Sequence, residues 1–216
     1  MDSTSEERIS SSTSPHTPCP GITTSFTGTR LPTPQGGFQL IDFNCPLSGH
    51  QHLALVRGDV RGDDILLRVH SECLTGDLFG SLRCDCGEQL RKSMEAIAAE
   101  GRGIILYLGH EGRGIGLTNK LRAYHLQDHG ADTVEANVRL GLPPDARSYR
   151  CATCLLSMLG IRSVRLLTNN PAKIDELKAL GVVVKERVPI EVTPNEHNLR
   201  YLQTKKEKMG HLLHGL

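Results

Sequence analysis

The first half of the chain carries its apolar residues in short runs with the period of β-strands. Residues 38–41 (FQLI), 52–56 (HLALV) and 65–69 (ILLRV) are rich in aliphatic and β-branched side chains and are punctuated by Gly-Asp turns, so three strands are predicted there. From about residue 88 the period lengthens. Leu90, Met94, Ile97 and Ala98 fall on one helical face, Gly101 stands where that helix must end, and residues 104–107 follow as a buried strand. Residues 117–127 and 149–159 predict two further helices. A βαβ unit is predicted next: strand 164–167, Asn170 as cap, Pro171 as the first helical residue, helix 171–180, Gly181, and strand 182–187. An amphipathic stretch over 196–213 predicts a closing helix. The alternation predicts an α/β protein with a mixed sheet flanked by helices and no internal repeat.

Residues 1–30 are rich in Ser, Thr and Pro and poor in large apolar residues. Such a segment cannot bury enough surface to offset the entropy of ordering it, so a disordered tail is expected ahead of a single domain over 31–216. A transit peptide fits less well, because Asp2, Glu6 and Glu7 accompany Arg8. A length of 216 residues suits one core. With 25 basic and 24 acidic residues the net charge is +1, so no global field draws the chain to nucleic acid or to an anionic membrane. Aromatics make up 4% and Trp is absent, which argues against a stacking platform for single strands. No apolar run approaches the roughly 20 residues that span a bilayer, and the first 30 residues lack a secretory core. A soluble, cytoplasmic protein that binds neither nucleic acid nor membrane is expected.

The seven cysteines are odd in number and mostly clustered, which in a reducing compartment points to metal or nucleophile chemistry more than to a disulfide framework. Cys73, Cys84 and Cys86 have the spacing C-x10-C-x-C. Three thiolates favour a soft tetrahedral ion, zinc first, and no fourth cysteine lies near. Either the fourth position is open to water, or His70 or a distant histidine closes a structural site. Cys151 and Cys154 share a face of a predicted helix and read as small core residues, with redox or second-metal roles as alternatives.

The runs RVHSECLTGDLFGSLRCDCG (68–87), EGRGIGL (111–117), ADTVEAN (131–137), PDAR (144–147) and LLTNNPAK (166–173) stand in that order. Over about residues 31–213 the chain resembles GTP cyclohydrolase II. The resemblance implies zinc on Cys73, Cys84 and Cys86, magnesium with the triphosphate, and attack of water at C8 of guanine. Formate and pyrophosphate would be released, leaving a diaminopyrimidinone ribosylamine phosphate, the first intermediate of riboflavin synthesis. It further implies GTP contacts from Arg68, Val69, His70, Ser71, Glu72, Gln89, Glu111, Gly112, Arg113, Thr133, Thr168 and Lys173, and a homodimer. Asp145 would be the proton acceptor and Arg147 the nucleophile, with Tyr124 near the reacting carbon.

The residues themselves qualify these roles. Arg68, Arg113, Arg147 and Lys173 are cations suited to a triphosphate, and Thr168 and Lys173 lie at a strand end and a helix start, where α/β folds place phosphates. A guanidinium with a pKa above about 12 stays protonated, so charge stabilisation at the α-phosphate is the alternative role for Arg147. A surface ion pair is the plain alternative for Asp145 and Arg147, as a core aromatic is for Tyr124. Gly109-His110 replaces the family's usual Arg-Gln, and residues 148–155 are unusual for the family. A specialised homologue that stops at a formamide or takes another nucleotide is therefore one rival reading; a zinc-stabilised binding module without turnover is another. The chain leaves no room for the dihydroxybutanone phosphate synthase domain often fused to this enzyme, so a monofunctional chain is expected.

Overall fold

The computed structural model describes residues 23–216 except 47 and 144, with side chains from residue 28 onward. Its strands are β1 (Thr23–Thr33), β2 (Gly36–Asn44), β3 (Gln51–Arg57), β4 (Ile65–Ser71), β5 (Gly103–Leu108), β6 (Ser163–Leu167) and β7 (Val183–Val188). They form one sheet in the order β1-β2-β3-β5-β4-β6-β7. Pairing is antiparallel from β1 through to β5 and parallel among β5, β4, β6 and β7. The helices are α1 (Leu74–Asp77), α2 (Cys86–Glu100), α3 (Gly116–Asp128), α4 (Thr133–Arg139), α5 (Arg150–Met158), α6 (Pro171–Ala179) and α7 (Leu199–Met209), with a 3-10 turn at Glu111–Gly114. The mixed α/β sheet expected from the pattern is the fold observed.

Side-chain alternation along the central strand builds both faces of the core. Ile65, Leu67 and Val69 join Leu106, Leu155 of α5 and Leu177 of α6 on one face, while Leu66 packs with Ile105 and Ile97 of α2 on the other. A strand buried on both sides suits the parallel part of such a sheet. On the Leu66 face the same alternation then brings Arg68 and His70, both buried, to the carboxyl end of β4. The ends of β4, β5 and β6 converge there, and the site is built on the loops that leave them.

The predicted stops hold locally. Gly101 closes α2 with φ 77°, and the Asn170 side chain accepts from Ala172 N at 3.1 Å at the start of α6. Helix α4, which the pattern did not predict, begins with a capping box in which Asp132 accepts from Glu135 N at 3.0 Å while Glu135 accepts from Asp132 N. Among the described residues no helix is long and apolar enough to cross a membrane.

Two expectations are corrected. Residues 23–30 of the expected tail belong to β1, with Thr29 opposite Leu40 and Arg30 opposite Gln39. A Thr-rich segment suits a pleated surface once β2 supplies the backbone partners that it lacks alone; residues 1–22 lie outside the described part. Cys151 sits in the core as expected but is bonded to Cys45, with their Cα atoms 5.8 Å apart, and Cys154 is likewise disulfide-bonded. The spacing of 151 and 154 on one helix carried no information about a partner 106 residues away.

Candidate active site

A cavity of about 1060 Å³, counting its open mouth, lies at the carboxyl ends of the parallel strands. On one wall are the three thiols. Cys73 follows β4, Cys84 ends the loop after α1, and Cys86 begins α2, and their sulfurs lie within 4.8 Å of one another. Among the described residues this is the group able to hold a metal, and His70 is not in it. The His70 Nε2 instead meets Asp77 at 3.0 Å, and Asp77 also accepts from Cys73 N and from the Tyr107 hydroxyl, each at 3.0 Å. A Cys3His closure through His70 is therefore not what the fold builds.

The trio fits a soft divalent ion in donor type and in shape. Gly76 is drawn against it, so that a Cβ there would stand 2.8 Å from Cys84 Sγ and 3.2 Å from Cys73 Sγ. Hydrogen bonds from the other two thiols and the Lys120 ammonium, 3.1 Å away, push the Cys73 pKa down against its burial. The same contact with Cys73 pushes Cys84 up to about 11 and raises Cys86 as well. Three sulfurs this close repel one another when ionised, so a cation among them is what lets all three be thiolates.

The opposite wall is cationic. Arg68 and Lys173 are 6% and 5% exposed, and the Lys173 Nζ donates to Val69 O at 2.6 Å. Burial, then the charges of Arg68 and Arg147, lower the Lys173 pKa well below its usual value. Arg147 donates to Asp145 Oδ1 at 2.8 Å and forms a second bond to Asp145 Oδ2. Burial opposes the Arg147 charge, but the carboxylate outweighs it and raises the pKa above that of an ordinary guanidinium. Partial desolvation raises the Asp145 carboxyl, but the bonds and charge of Arg147 outweigh it and hold the pKa low. Glu111, at the start of the 3-10 turn, accepts from Leu74 N at 2.7 Å and from Lys120 at 2.8 Å, tying the EGRGIGL turn to the loop that carries Cys73. Gly112 and Arg113 both adopt φ 61°, a left-handed conformation costly for arginine and found where a loop is bent to a purpose.

Of the residues singled out from the sequence, Arg68, His70, Ser71, Glu72, Gln89, Glu111, Gly112, Arg113, Thr133, Thr168 and Lys173 line this cavity, together with Tyr124, Arg147 and the three cysteines. Val69 does not; its side chain is in the core and it offers its carbonyl. Asp145 is not on the lining and is paired with Arg147, which is. The Tyr124 hydroxyl is 3.5 Å from Thr75 Oγ1, with the Arg83 guanidinium over its ring. Sequence reasoning missed Lys120, Tyr201, Lys205 and His211. Lys120 precedes Tyr124 by one helical turn on α3 and was findable by that spacing. The other three arrive with α7 and its C-terminal extension, outside every motif.

A family model described as GTP cyclohydrolase II matches residues 24–189. The riboflavin biosynthesis protein RibBA of Nocardia farcinica (strain IFM 10152) is 57% identical over 189 residues, covering 87% of this chain and 46% of its own length. The protein of the same name from Mycolicibacterium paratuberculosis (strain ATCC BAA-968 / K-10) is 57% identical over 193 residues, covering 87% and 45%. The chain thus spans about half the length of the curated relatives it matches. A solved structure of RibBX, a two domain 3,4-dihydroxy-2-butanone 4-phosphate synthase from A. baumannii, aligns with a TM-score of 0.46 at 18% identity over 77% of this chain and 40% of that one, too slight a likeness to carry an argument.

Proposed function

The chain belongs to the GTP cyclohydrolase II family, and from that membership we propose that it hydrolyses GTP. The imidazole ring opens at C8, formate and pyrophosphate leave, and a diaminopyrimidinone ribosylamine phosphate for riboflavin biosynthesis remains. The observation that carries this reading is the placement of three converging thiols on the same cavity as the crowded cations Arg68, Arg147 and Lys173. Buried cations that oppose one another's charge call for a multivalent anion, and a triphosphate supplies one.

Cys73, Cys84 and Cys86 would hold zinc. Bound there, zinc would supply Lewis acidity of the kind that lowers the pKa of water towards neutrality. Magnesium would serve as a counter-ion of the triphosphate. Arg68 and Lys173 bind the anion, and Lys120 holds Glu111 and Cys73 in place. Arg147, kept protonated by Asp145, stabilises charge on the α-phosphate as pyrophosphate departs; a protonated guanidinium is a poor nucleophile, and this is the role its chemistry favours. Asp145 accepts a proton beside it. The Tyr124 hydroxyl orients water for the attack that frees formate. The family resemblance also carries a homodimer, and exposed Leu78, Phe79 and Leu82 on the loop between metal ligands are surface of the kind a second copy covers.

The test is mass spectrometry with formate detection on purified protein given GTP, magnesium and zinc. Formate with a diaminopyrimidine product is expected. A formamide product would move the chain to the specialised reading, which the Gly109-His110 departure favours, and unchanged GTP across a nucleotide panel would sink the enzymatic reading.

A further inference from the structure

Asp85 lies between two of the metal-site cysteines and is 2% exposed, yet its partners come from elsewhere in the fold. Lys205 of α7 donates to its Oδ1 at 2.6 Å, and the Gln89 amide donates to its Oδ2 at 2.6 Å. Gln89 Oε1 in turn accepts from Arg68 Nη2 at 2.6 Å, and Arg68 Nη1 donates to Leu167 O at 2.9 Å. Arg68 Nε is left buried without a partner, on a side chain that lines the cavity.

The direction of this relay follows from the groups. A carboxylate only accepts, so the amide nitrogen of Gln89 must face Asp85 and its oxygen must face Arg68. The orientation of one amide thereby decides the plane of the Arg68 guanidinium. Asp85 can act as a buried acceptor because Lys205 pairs with it, and an unpaired carboxylate at that depth would be costly. Lys205 is itself held, with its ammonium 4.4 Å from the centre of the Tyr201 ring. The segment that follows α7 is pinned beside the loop between β6 and α6 by Leu212 N donating to Asn169 O at 2.8 Å.

We propose that Lys205 is a positioning residue for the anion site: through Asp85 and Gln89 it fixes the Arg68 guanidinium and leaves its Nε–H for a phosphate oxygen. Helix α7 is then part of the binding machinery as well as a cover for the core. The inference takes the identity of its ligand from the GTP reading, but the relay itself does not depend on turnover.

The experiment is a double-mutant cycle in the full chain with Lys205→Met and Gln89→Met, read as the Kd for inorganic triphosphate and for GTP by calorimetry, with zinc content measured in parallel. Each single change is expected to weaken inorganic triphosphate about 10-fold, the loss of one hydrogen bond to a charged group, with zinc content equal to that of the unsubstituted chain. The double change is expected to be no weaker than the worse single one, because both break one relay. Lys205→Arg, which still pairs with Asp85, is expected to rescue. Losses that multiply to about 100-fold, or zinc lost together with affinity, would overturn the proposal. Should Lys205→Met fail to fold, Asp85→Leu with Lys205→Met removes both charges and the acceptor that Gln89 uses; that pair is expected to bind as weakly as Gln89→Met, and full affinity would overturn the relay. Absence of GTP turnover with a coupled cycle removes the GTP reading alone, whereas turnover with independent losses removes the relay alone.

Discussion

Single residues set the tightest tolerances of the site. Gly76 is a glycine for lack of room, since any Cβ would press on two of the three sulfurs. Gly76→Ala is expected to cost about 1–3 kcal/mol of packing and to lower zinc content while all three thiols remain titratable. Metal analysis alongside a thiol assay checks it, and full zinc content in the variant would show that the cradle has slack. Gly109 reports a related constraint, because a Cβ there would stand 2.9 Å from Gln51 O. An arginine at this place would need the backbone to shift, so the departure from the family's Arg-Gln is accommodated by the fold around it. The adjacent His110 is buried and its pKa is lowered to about 4 by burial and then by His52, so it brings no charge to the cavity near neutral pH.

Between elements, the bond from Cys45 after β2 to Cys151 in α5 joins the antiparallel part of the sheet to the helix that follows Arg147. Tyr149, buried at the start of that helix, lies under both Lys173 and Arg147, whose cationic groups stand 5.3 and 5.9 Å from its ring centre. Cross-linking residues this far apart in sequence restricts the unfolded chain strongly. Cys45→Ser is therefore expected to lower stability by about 2–4 kcal/mol, seen as a lower Tm under non-reducing conditions. An unchanged Tm would mean that the bond is not formed in solution or adds nothing to what the core already holds.

For the molecule as a whole, buried histidines limit stability on the acid side. His52 and His110 are 0% and 6% exposed, and burial lowers both from 6.5 to about 4. The folded state therefore takes up their protons less readily than the unfolded state does. Their contribution is neutral above pH 6.5, and stability falls as pH drops from 6.5 towards 4, by about 3 kcal/mol per histidine at the limit. Urea midpoints at pH 7.5 and pH 5 test this. The acid loss should shrink in His52→Gln, and a pH-independent midpoint would show that these rings are solvated or shared with other groups.

Much of the fold was legible because its signals are short-ranged. The face formed by Leu90, Met94 and Ile97, the Asn170-Pro171 start of α6 and the Gly101 stop each depend on neighbours within a turn or two, and each element formed there. The thiol trio was legible for the same reason, two of its members being separated by a single residue. What the tertiary structure alone decided involves partners remote in sequence: Cys45 against Cys151, and Lys205 against Asp85. Such pairs depend on how the crossovers bring strand ends together, and no periodicity in the chain encodes that. The motifs thus specified which chemical groups are available, while burial and long-range pairing decided which of them carry charge, which face the cavity, and which, like Val69, stand behind it.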